Sequence, residues 1–174
     1  MSDFGAAVRG DLKRNHDAQP EVYRSPEVML EVTWSYPIDI WNVGVMRWDI
    51  FEGKHLFHGI DPKDTAYSTR AHLEEVIGML GMPPLDLIKV GSRSDEFLTD
   101  DVRVSLPCYS PHYSISQWKA DVPIPANSGL AQSELNLEGD EKQEFLRFVG
   151  GMLQWSPEDR KTPKELLQDP WLYN

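Results

Sequence analysis

The chain has 174 residues, a length typical of one domain or of one lobe of a larger domain. Hydrophobic residues make up 40% of it and charged residues 26%, a composition that supports a packed core and excludes collagen, coiled coil and disorder along the whole chain. The formal net charge of −11 argues against nucleic acid or an anionic membrane as the main partner, since both repel a negative surface.

A single cysteine, Cys108, excludes an internal disulfide framework and a cysteine-based zinc cluster. The chain opens with the polar residues Ser2 and Asp3 after Met1, and no apolar run approaches the length of a membrane span. The five histidines have no metal-ligand spacing and are expected to be solvated. We therefore expect a protein of the cytoplasm or nucleus that is neither secreted nor bound to a membrane.

The first half of the chain predicts three helices. A short one is expected over residues 25–31, with Ser25 as N-cap and Pro26 in the first turn. Residues 36–52 are apolar all round, which predicts a central helix that is buried on all sides and ends at Gly53. Residues 69–80 carry the i, i+3, i+4, i+7 stripe of a half-buried helix, which ends at Gly81.

The second half begins with a proline-rich stretch, from Pro83 to Leu137, that is too long for an ordinary connection. We interpret it as a partly ordered surface insertion with a short helix near Leu85–Val90. An apolar stripe predicts another helix over residues 140–154. A final helix follows a capping box in which Thr162 is the cap and Glu165 returns to it.

Four short motifs stand in a fixed order along the chain. The triplet Asp3-Phe4-Gly5 is weak by itself, because short motifs often arise by chance. It is followed at a suitable distance by Tyr23-Arg24-Ser25-Pro26-Glu27, and then by Asp39-Ile40-Trp41-Asn42-Val43-Gly44 inside the central helix. The last is Asp159-Arg160-Lys161-Thr162, which precedes Asp169-Pro170-Trp171-Leu172. Chance does not account for all four in this order.

With these motifs the chain resembles a eukaryotic protein kinase, from the Asp-Phe-Gly motif to the end of the C-terminal lobe. The Tyr-Arg-Ser-Pro-Glu segment and the long insertion look like the CMGC group. The stretch from Gly91 to Phe97, and the excess of acidic over basic residues, look most like the SR-protein kinase branch. The resemblance implies a mainly α fold, the C-terminal (large) lobe without the β-rich N-terminal lobe, and almost no strand. It divides the chain into an activation segment (1–27), the central helix (36–52), an insertion (82–137) and C-terminal helices (138–174).

The resemblance also assigns roles to individual residues. Asp3 would hold magnesium against the phosphates of ATP, Phe4 would pack on the N-terminal lobe, and Gly5 would be a hinge. The residues expected to face the substrate are Tyr23, Arg24, Ser25 and Pro26. Those expected to be structural are Glu27, Asp39, Trp41, Gly44 and Arg160.

Two of these structural assignments are electrostatic. By the resemblance, Glu27 and Arg160 form a buried bidentate pair. Asp39 lies in the apolar central helix, where an ionised carboxylate needs hydrogen-bond donors. The resemblance supplies those donors as backbone amides of the catalytic loop.

Several parts of a working kinase do not occur in these 174 residues. The sequence contains no Gly-x-Gly-x-x-Gly and no His-Arg-Asp, so no catalytic residue is assigned. Pro20 and Glu21 stand where the CMGC pattern expects a threonine and often an arginine, and Glu21 would repel a phosphorylated activation segment. We therefore expect the chain alone to be inactive and to bind ATP and magnesium weakly.

Two functions remain open at this stage. One is the C-terminal lobe of a serine/threonine kinase, whose family transfers the γ-phosphate of ATP to protein hydroxyls, here in arginine-rich substrates. The other is a non-catalytic acidic module that docks basic Arg/Ser-rich segments. Its candidate residues are Asp95, Glu96, Asp100 and Asp101, although a merely solvated acidic face explains the same charges.

Overall fold

The structure is a computed structural model that describes residues 5, 7–104, 113–120, 123–124 and 129–173, with backbone alone at 100–104 and 113–117. The larger helices are α2 (Pro37–Glu52), α3 (Thr69–Leu80) and α7 (Gly139–Gly150), and the shorter ones are α1 (Pro26–Met29), α4 (Leu85–Val90), α5 (Ser94–Phe97), α6 (Leu130–Ser133) and α8 (Pro163–Leu166). Short 3-10 turns occupy Glu21–Tyr23, Pro157–Asp159 and Pro170–Leu172. The fold is mainly α, as expected.

Strand is confined, within the described residues, to one antiparallel hairpin in the insertion. Strand β1 (Leu98–Val104) pairs with β2 (Tyr113–Trp118), and a bulge interrupts the register between Thr99 and Val102. The hairpin is attached to the body at its base, where the ring of Trp118 stacks on Phe97 at 6.4 Å. The sequence analysis predicted an irregular insertion here and did not predict these strands.

The core is organised around one side of α2. Trp41, Val45 and Trp48 on that side are at most 1% exposed. The buried side chains that pack around them come from the loop after α2, from α3, and from α7 with its following turn: Phe57, Leu73, Val76, Phe145, Val149, Met152 and Leu153. Burial of these large side chains is the main favourable contribution to stability, because each buried aliphatic or aromatic side chain contributes about 1.5–3 kcal/mol.

Gly44 lies where α2 passes closest to the turn after α7. A Cβ atom built on Gly44 would lie 2.9 Å from Cβ of Met152 and 2.9 Å from Cδ2 of Leu153. Both distances are shorter than ordinary van der Waals contact, so the close approach requires glycine. The close approach gives a physical reason for Gly44, which the sequence indicated only as part of a motif.

The prediction that α2 is buried on all sides is wrong. Val43, Met46 and Ile50 are 43%, 42% and 67% exposed, and Asp39 on the same stripe is also exposed. The positions 39, 43, 46 and 50 repeat at helical spacing, so they form one continuous face. An apolar pattern shows which side chains favour burial, but it does not show that other parts of the same chain pack against them.

Three local predictions also need correction. α7 ends at Gly150 rather than at 154, although Met152 and Leu153 are still buried in the turn that follows. Ser25 stands at the N-cap of α1, but its hydroxyl makes no cap hydrogen bond and is buried without a partner among the described atoms. His72 is fully buried rather than solvated.

The remaining helix ends follow the sequence signals. Gly53 ends α2 with a left-handed φ of 68°. Thr162 accepts from the N–H of Glu165 at 3.3 Å, and a carboxylate oxygen of Glu165 accepts from the N–H of Thr162 at 2.8 Å, which completes the capping box. Among the described residues, no helix is long and apolar enough to cross a membrane.

Candidate functional site: the segment from Gly10 to Glu27

The segment before α1 is attached to the start of α2 through Gln19. Gln19 has a left-handed φ of 67° and uses both ends of its side-chain amide. Its Nε2 donates to the carbonyl of Ile38 at 2.7 Å, and its Oε1 accepts from the N–H of Ser25 at 2.9 Å. The amide therefore connects the loop that contains Ser25 to the N-terminal end of α2.

Further contacts fasten the same segment upstream. Arg14 and Trp34 exchange two backbone hydrogen bonds, at 3.0 and 2.6 Å, and Nε1 of Trp34 donates to the carbonyl of His16 at 2.8 Å. The hydroxyl of Ser35 donates to the carbonyl of Gly10. These contacts favour an ordered segment from Gly10 onward, because each buried or half-buried hydrogen bond opposes local opening.

Tyr23 connects the loop to the other end of α2. Its hydroxyl donates to Oδ2 of Asp49 at 3.0 Å, and the same oxygen lies 2.5 Å from Nδ1 of His55. Oδ1 of Asp49 accepts from the N–H of Leu56 at 2.9 Å. Burial of the phenol raises the pKa of Tyr23, and the hydrogen bond to Asp49 raises it further. The loop is thus anchored at both ends of the central helix.

Arg24 lies over an aromatic platform. Its guanidinium is 5.5 Å from the ring centre of Tyr67, and its Nη2 donates to a carboxylate oxygen of Asp17 at 2.9 Å. Burial raises the pKa of Tyr67 to about 12, while the nearby Arg24 acts in the opposite direction. The hydroxyl of Tyr67 lies 3.1 Å from Nδ1 of His72. Burial lowers the pKa of His72 to about 3. His72 is therefore a neutral structural partner of the platform at physiological pH.

Glu27 and Arg160 form the bidentate pair that the resemblance implied. The two Nη atoms of Arg160 lie 2.6 and 2.7 Å from the two carboxylate oxygens of Glu27, and both side chains are 1% exposed. Arg160 also donates to the carbonyls of Pro37 at 2.9 Å and Gln154 at 3.0 Å, and its guanidinium lies 5.2 Å from the ring centre of Trp41. The pair therefore joins α1, the start of α2 and the turn before α8.

Asp39 differs from its expected setting. The residue lies on the exposed face of α2, although partial burial of its carboxylate raises its pKa. Among the described residues, no donor contacts that carboxylate. It lines a cavity of about 540 Å³ between α2 and the upstream segment, together with Val8, Trp34, Tyr36 and Asn42.

Of the four predicted acidic docking residues, the structure describes the side chains of Asp95 and Glu96. Asp95 and Glu96 are exposed on α5, but Glu96 accepts from Arg93 at 3.0 and 2.8 Å, which lowers the pKa of Glu96. Asp100 and Asp101 lie in β1, and their side chains are outside the described residues. The charge of Glu96 is thus already countered within the chain.

The predicted nucleotide-contacting residues can be placed only in part. Asp3 and Phe4 lie outside the described residues, and Gly5 is exposed. Within the described part of the chain, histidine, cysteine, aspartate and glutamate side chains do not group in a way that could hold a metal ion.

Sequence reasoning missed Asp17, Gln19, Asp49 and the pair of Tyr67 and His72. Of these residues, only Asp49 could have been singled out from the sequence, because it is a carboxylate near the C-terminal end of a strongly apolar helix. The others lie in irregular segments, where no periodicity indicates which side chains meet.

Comparison with known proteins shows the family of the chain. A model of the family described as protein kinase domain matches residues 1–172, and the chain therefore belongs to that family. A serine/threonine protein kinase of Aspergillus fumigatus is 41% identical over 174 residues, which cover 99% of this chain and 39% of that kinase. The serine/threonine-protein kinase sky1 of Dictyostelium discoideum is 31% identical over 99% of this chain and 24% of its own length.

A more distant relative is the dual specificity tyrosine-phosphorylation-regulated kinase mbk-2 of Caenorhabditis briggsae. It is 30% identical over 98% of this chain and 21% of its own length. The chain thus spans 39% or less of the length of these three curated relatives. The family uses ATP and magnesium for phosphoryl transfer.

Proposed function

We propose that the chain is the C-terminal lobe of a serine/threonine kinase of the CMGC group, in its SR-protein kinase branch. Joined to the rest of a kinase domain, it positions a protein substrate for transfer of the γ-phosphate of ATP to serine in an arginine-rich segment. The 174 residues by themselves are inactive, because most parts that bind and orient the nucleotide are not among them.

One observation carries this proposal: the loop from Tyr23 to Pro26 is fixed from several directions. Tyr23 is bonded to Asp49, the N–H of Ser25 to Gln19, and Glu27 at the start of α1 to Arg160. A substrate-positioning loop must be held rigidly, because small misplacement of a bound hydroxyl slows transfer strongly. The alternative of a non-catalytic acidic docking module has less support, since Arg93 already pairs with Glu96.

A chimeric kinase tests this function. In the Aspergillus fumigatus kinase, the region aligned with this chain is replaced by residues 1–174, and phosphorylation of an Arg-Ser repeat peptide is measured with radiolabelled ATP. We expect the chimera to phosphorylate serine in this peptide and to prefer it over a peptide with lysine in place of arginine. The isolated chain should transfer no phosphate.

A matched pair of tyrosine variants tests whether the loop from Tyr23 to Pro26 contributes to phosphoryl transfer. Tyr23→Phe removes the hydrogen bond to Asp49, and we expect it to lower kcat/KM of the chimera about tenfold, the effect of losing a hydrogen bond to a charged group. Tyr173→Phe removes an exposed hydroxyl bonded to the carbonyl of Leu167 and should leave kcat/KM unchanged. Phosphorylation by the isolated chain, or a chimera that ignores arginine, would refute the proposal.

A further inference from the structure

A cavity of about 230 Å³ adjoins the loop that contains Arg24. It is lined by Arg24, by Val28 and Met29 of α1, by Thr69 at the start of α3 and by Arg93 just before α5. Its volume lies below the roughly 300–1,000 Å³ typical of small-molecule sites, which favours a single side chain as the occupant. Because the proposed function places the loop against the substrate, a substrate side chain lies within reach of this cavity.

The two arginines of the cavity already have carboxylate partners in the chain. Nη2 of Arg24 donates to Asp17 at 2.9 Å. Nε and Nη2 of Arg93 donate to the two carboxylate oxygens of Glu96 at 3.0 and 2.8 Å, and its guanidinium lies 5.3 Å from the ring centre of Phe97. Both positive charges are therefore countered within the chain, which disfavours an anion as the ligand.

Glu31 contributes the remaining charge to the lining of the cavity. Its side chain is exposed and accepts a hydrogen bond from the hydroxyl of Ser92 at 2.8 Å, and no described cation forms an ion pair with it. Its backbone has a left-handed φ of 53°, which is unfavourable for a residue with a side chain. Backbone conformations of this kind concentrate at binding sites, so the position of Glu31 points to a ligand.

The other groups of the cavity suit one kind of side chain. Glu31 supplies carboxylate oxygens and Thr69 a hydroxyl oxygen, which accept hydrogen bonds. Val28 and Met29, which are 6% and 1% exposed, supply an apolar wall. Arginine combines an aliphatic stem with a planar cation that a carboxylate binds through two parallel hydrogen bonds. Lysine ends in a compact point charge and fits the same groups less well.

We propose that this cavity is a subsite for an arginine side chain of the substrate, and that Glu31 binds the guanidinium of that arginine. The proposal rests on the proposed function, because it assumes that a substrate lies along the loop from Tyr23 to Pro26. It assigns the preference for arginine to Glu31 instead of to the acidic residues of the insertion.

A binding experiment tests the subsite without nucleotide. The 174-residue chain is titrated into a fluorescein-labelled Arg-Ser repeat peptide, and anisotropy is measured at low salt. The comparison peptide carries citrulline, which is neutral and nearly the same shape, in place of every arginine. Glu31→Gln should weaken binding of the arginine peptide about three- to fivefold, the effect of losing one exposed ion pair, and should leave binding of the citrulline peptide unchanged.

Two variants serve as controls. Ser92→Ala removes the hydrogen bond to Glu31 but keeps the carboxylate, so it should bind the arginine peptide like the unchanged chain. Glu158→Gln removes an exposed carboxylate that does not line the cavity, and it should also bind like the unchanged chain. Circular dichroism verifies that all three variants keep their helix content.

Three results would overturn the subsite. The first is equal binding of the arginine peptide by Glu31→Gln and the unchanged chain. The second is equal weakening by Glu31→Gln and Glu158→Gln, because the charge would then act only through the overall field of the protein. The third is tighter binding when phosphoserine replaces serine in the peptide, because the cavity would then receive an anion.

The subsite and the proposed function can fail separately. If binding of the arginine peptide depends on Glu31 but the chimera transfers no phosphate, the proposed function alone is refuted. If the chimera phosphorylates the Arg-Ser peptide but binding is independent of Glu31, the subsite alone is refuted.

Discussion

At the scale of single residues, the pairing of Glu27 with Arg160 shows what a sequence motif can and cannot reveal. The resemblance to kinases named both partners, although they are 133 residues apart. It did not reveal that Arg160 also satisfies the carbonyls of Pro37 and Gln154 and lies over Trp41. Removing Arg160 therefore leaves the carboxylate of Glu27 and the carbonyls of Pro37 and Gln154 without this donor.

Arg160→Ala should lower the free energy of unfolding by about 3–5 kcal/mol, because it leaves the buried carboxylate of Glu27 without its counter-charge. Urea denaturation followed by tryptophan fluorescence measures this change. Arg9→Ala is the control, since Arg9 forms an exposed pair with Asp11, and such pairs contribute little. Equal stability of Arg160→Ala and the unchanged chain would show that the pair is not formed in solution.

At the scale of elements, helices were predicted well and their surroundings less so. The patterns predicted the bounds of α3, and those of α2 to within one residue, because long apolar periodicity and glycine caps are strong local signals. They did not reveal the hairpin β1–β2, or the uncovered face of α2. Both depend on contacts between distant segments, which hydropathy does not encode.

The close approach at Gly44 is testable within α2. Gly44→Ala should destabilise the protein by about 1–3 kcal/mol, because its Cβ would lie 2.9 Å from atoms of both Met152 and Leu153 in a packed core. Gly150→Ala in α7 is the matched control, since nothing lies within 4 Å of an added Cβ there. Alanine at 150 should be neutral or stabilising by about 0.5–1 kcal/mol. Thermal unfolding of the two variants would separate the effect of close packing on stability from the effect of helix propensity. A Gly44→Ala variant that is more stable than the unchanged chain would contradict the close approach at Gly44.

At the scale of the whole molecule, the family and the helical class could be predicted from the sequence, but much of the candidate site could not. The motifs indicated Tyr23, Arg24 and Glu27 because these residues lie within five consecutive positions. The residues that hold them, such as Gln19 and Asp49, come from other segments and become neighbours only in the folded chain. For the predicted docking carboxylates, nearness in sequence did not show that Arg93 pairs with Glu96.

The stability of the whole molecule should depend on the protonation of Glu74 in α3. Burial, reinforced by the negative charge of Glu75, raises the pKa of Glu74 from 4.5 to about 7. The folded state therefore holds this proton more tightly than the unfolded chain does. The resulting stabilisation is complete below pH 4.5 and is lost as the pH rises through 7.

Glu74→Gln removes this dependence while keeping the shape of the side chain. Relative to the unchanged protein, the variant should gain about 1–3 kcal/mol of stability between pH 5 and pH 8. Urea midpoints across this range measure the difference, and Glu158→Gln, at an exposed position, is the control. A constant difference between Glu74→Gln and the unchanged protein at all pH values would show that Glu74 does not titrate in this window.

The separation of Glu27 from Arg160 also has a consequence for how the protein is made. A ribosome adds about 5–20 residues per second, so the 133 residues between the partners take roughly 7 to 27 seconds to synthesise. During that time α1 and α2 can form, but the carboxylate of Glu27 has no guanidinium to meet it. The nascent chain must keep Glu27 hydrated until Arg160 emerges. Closure of the lobe around this pair therefore follows the synthesis of Arg160, and a chain truncated before Arg160 is expected to be captured by chaperones.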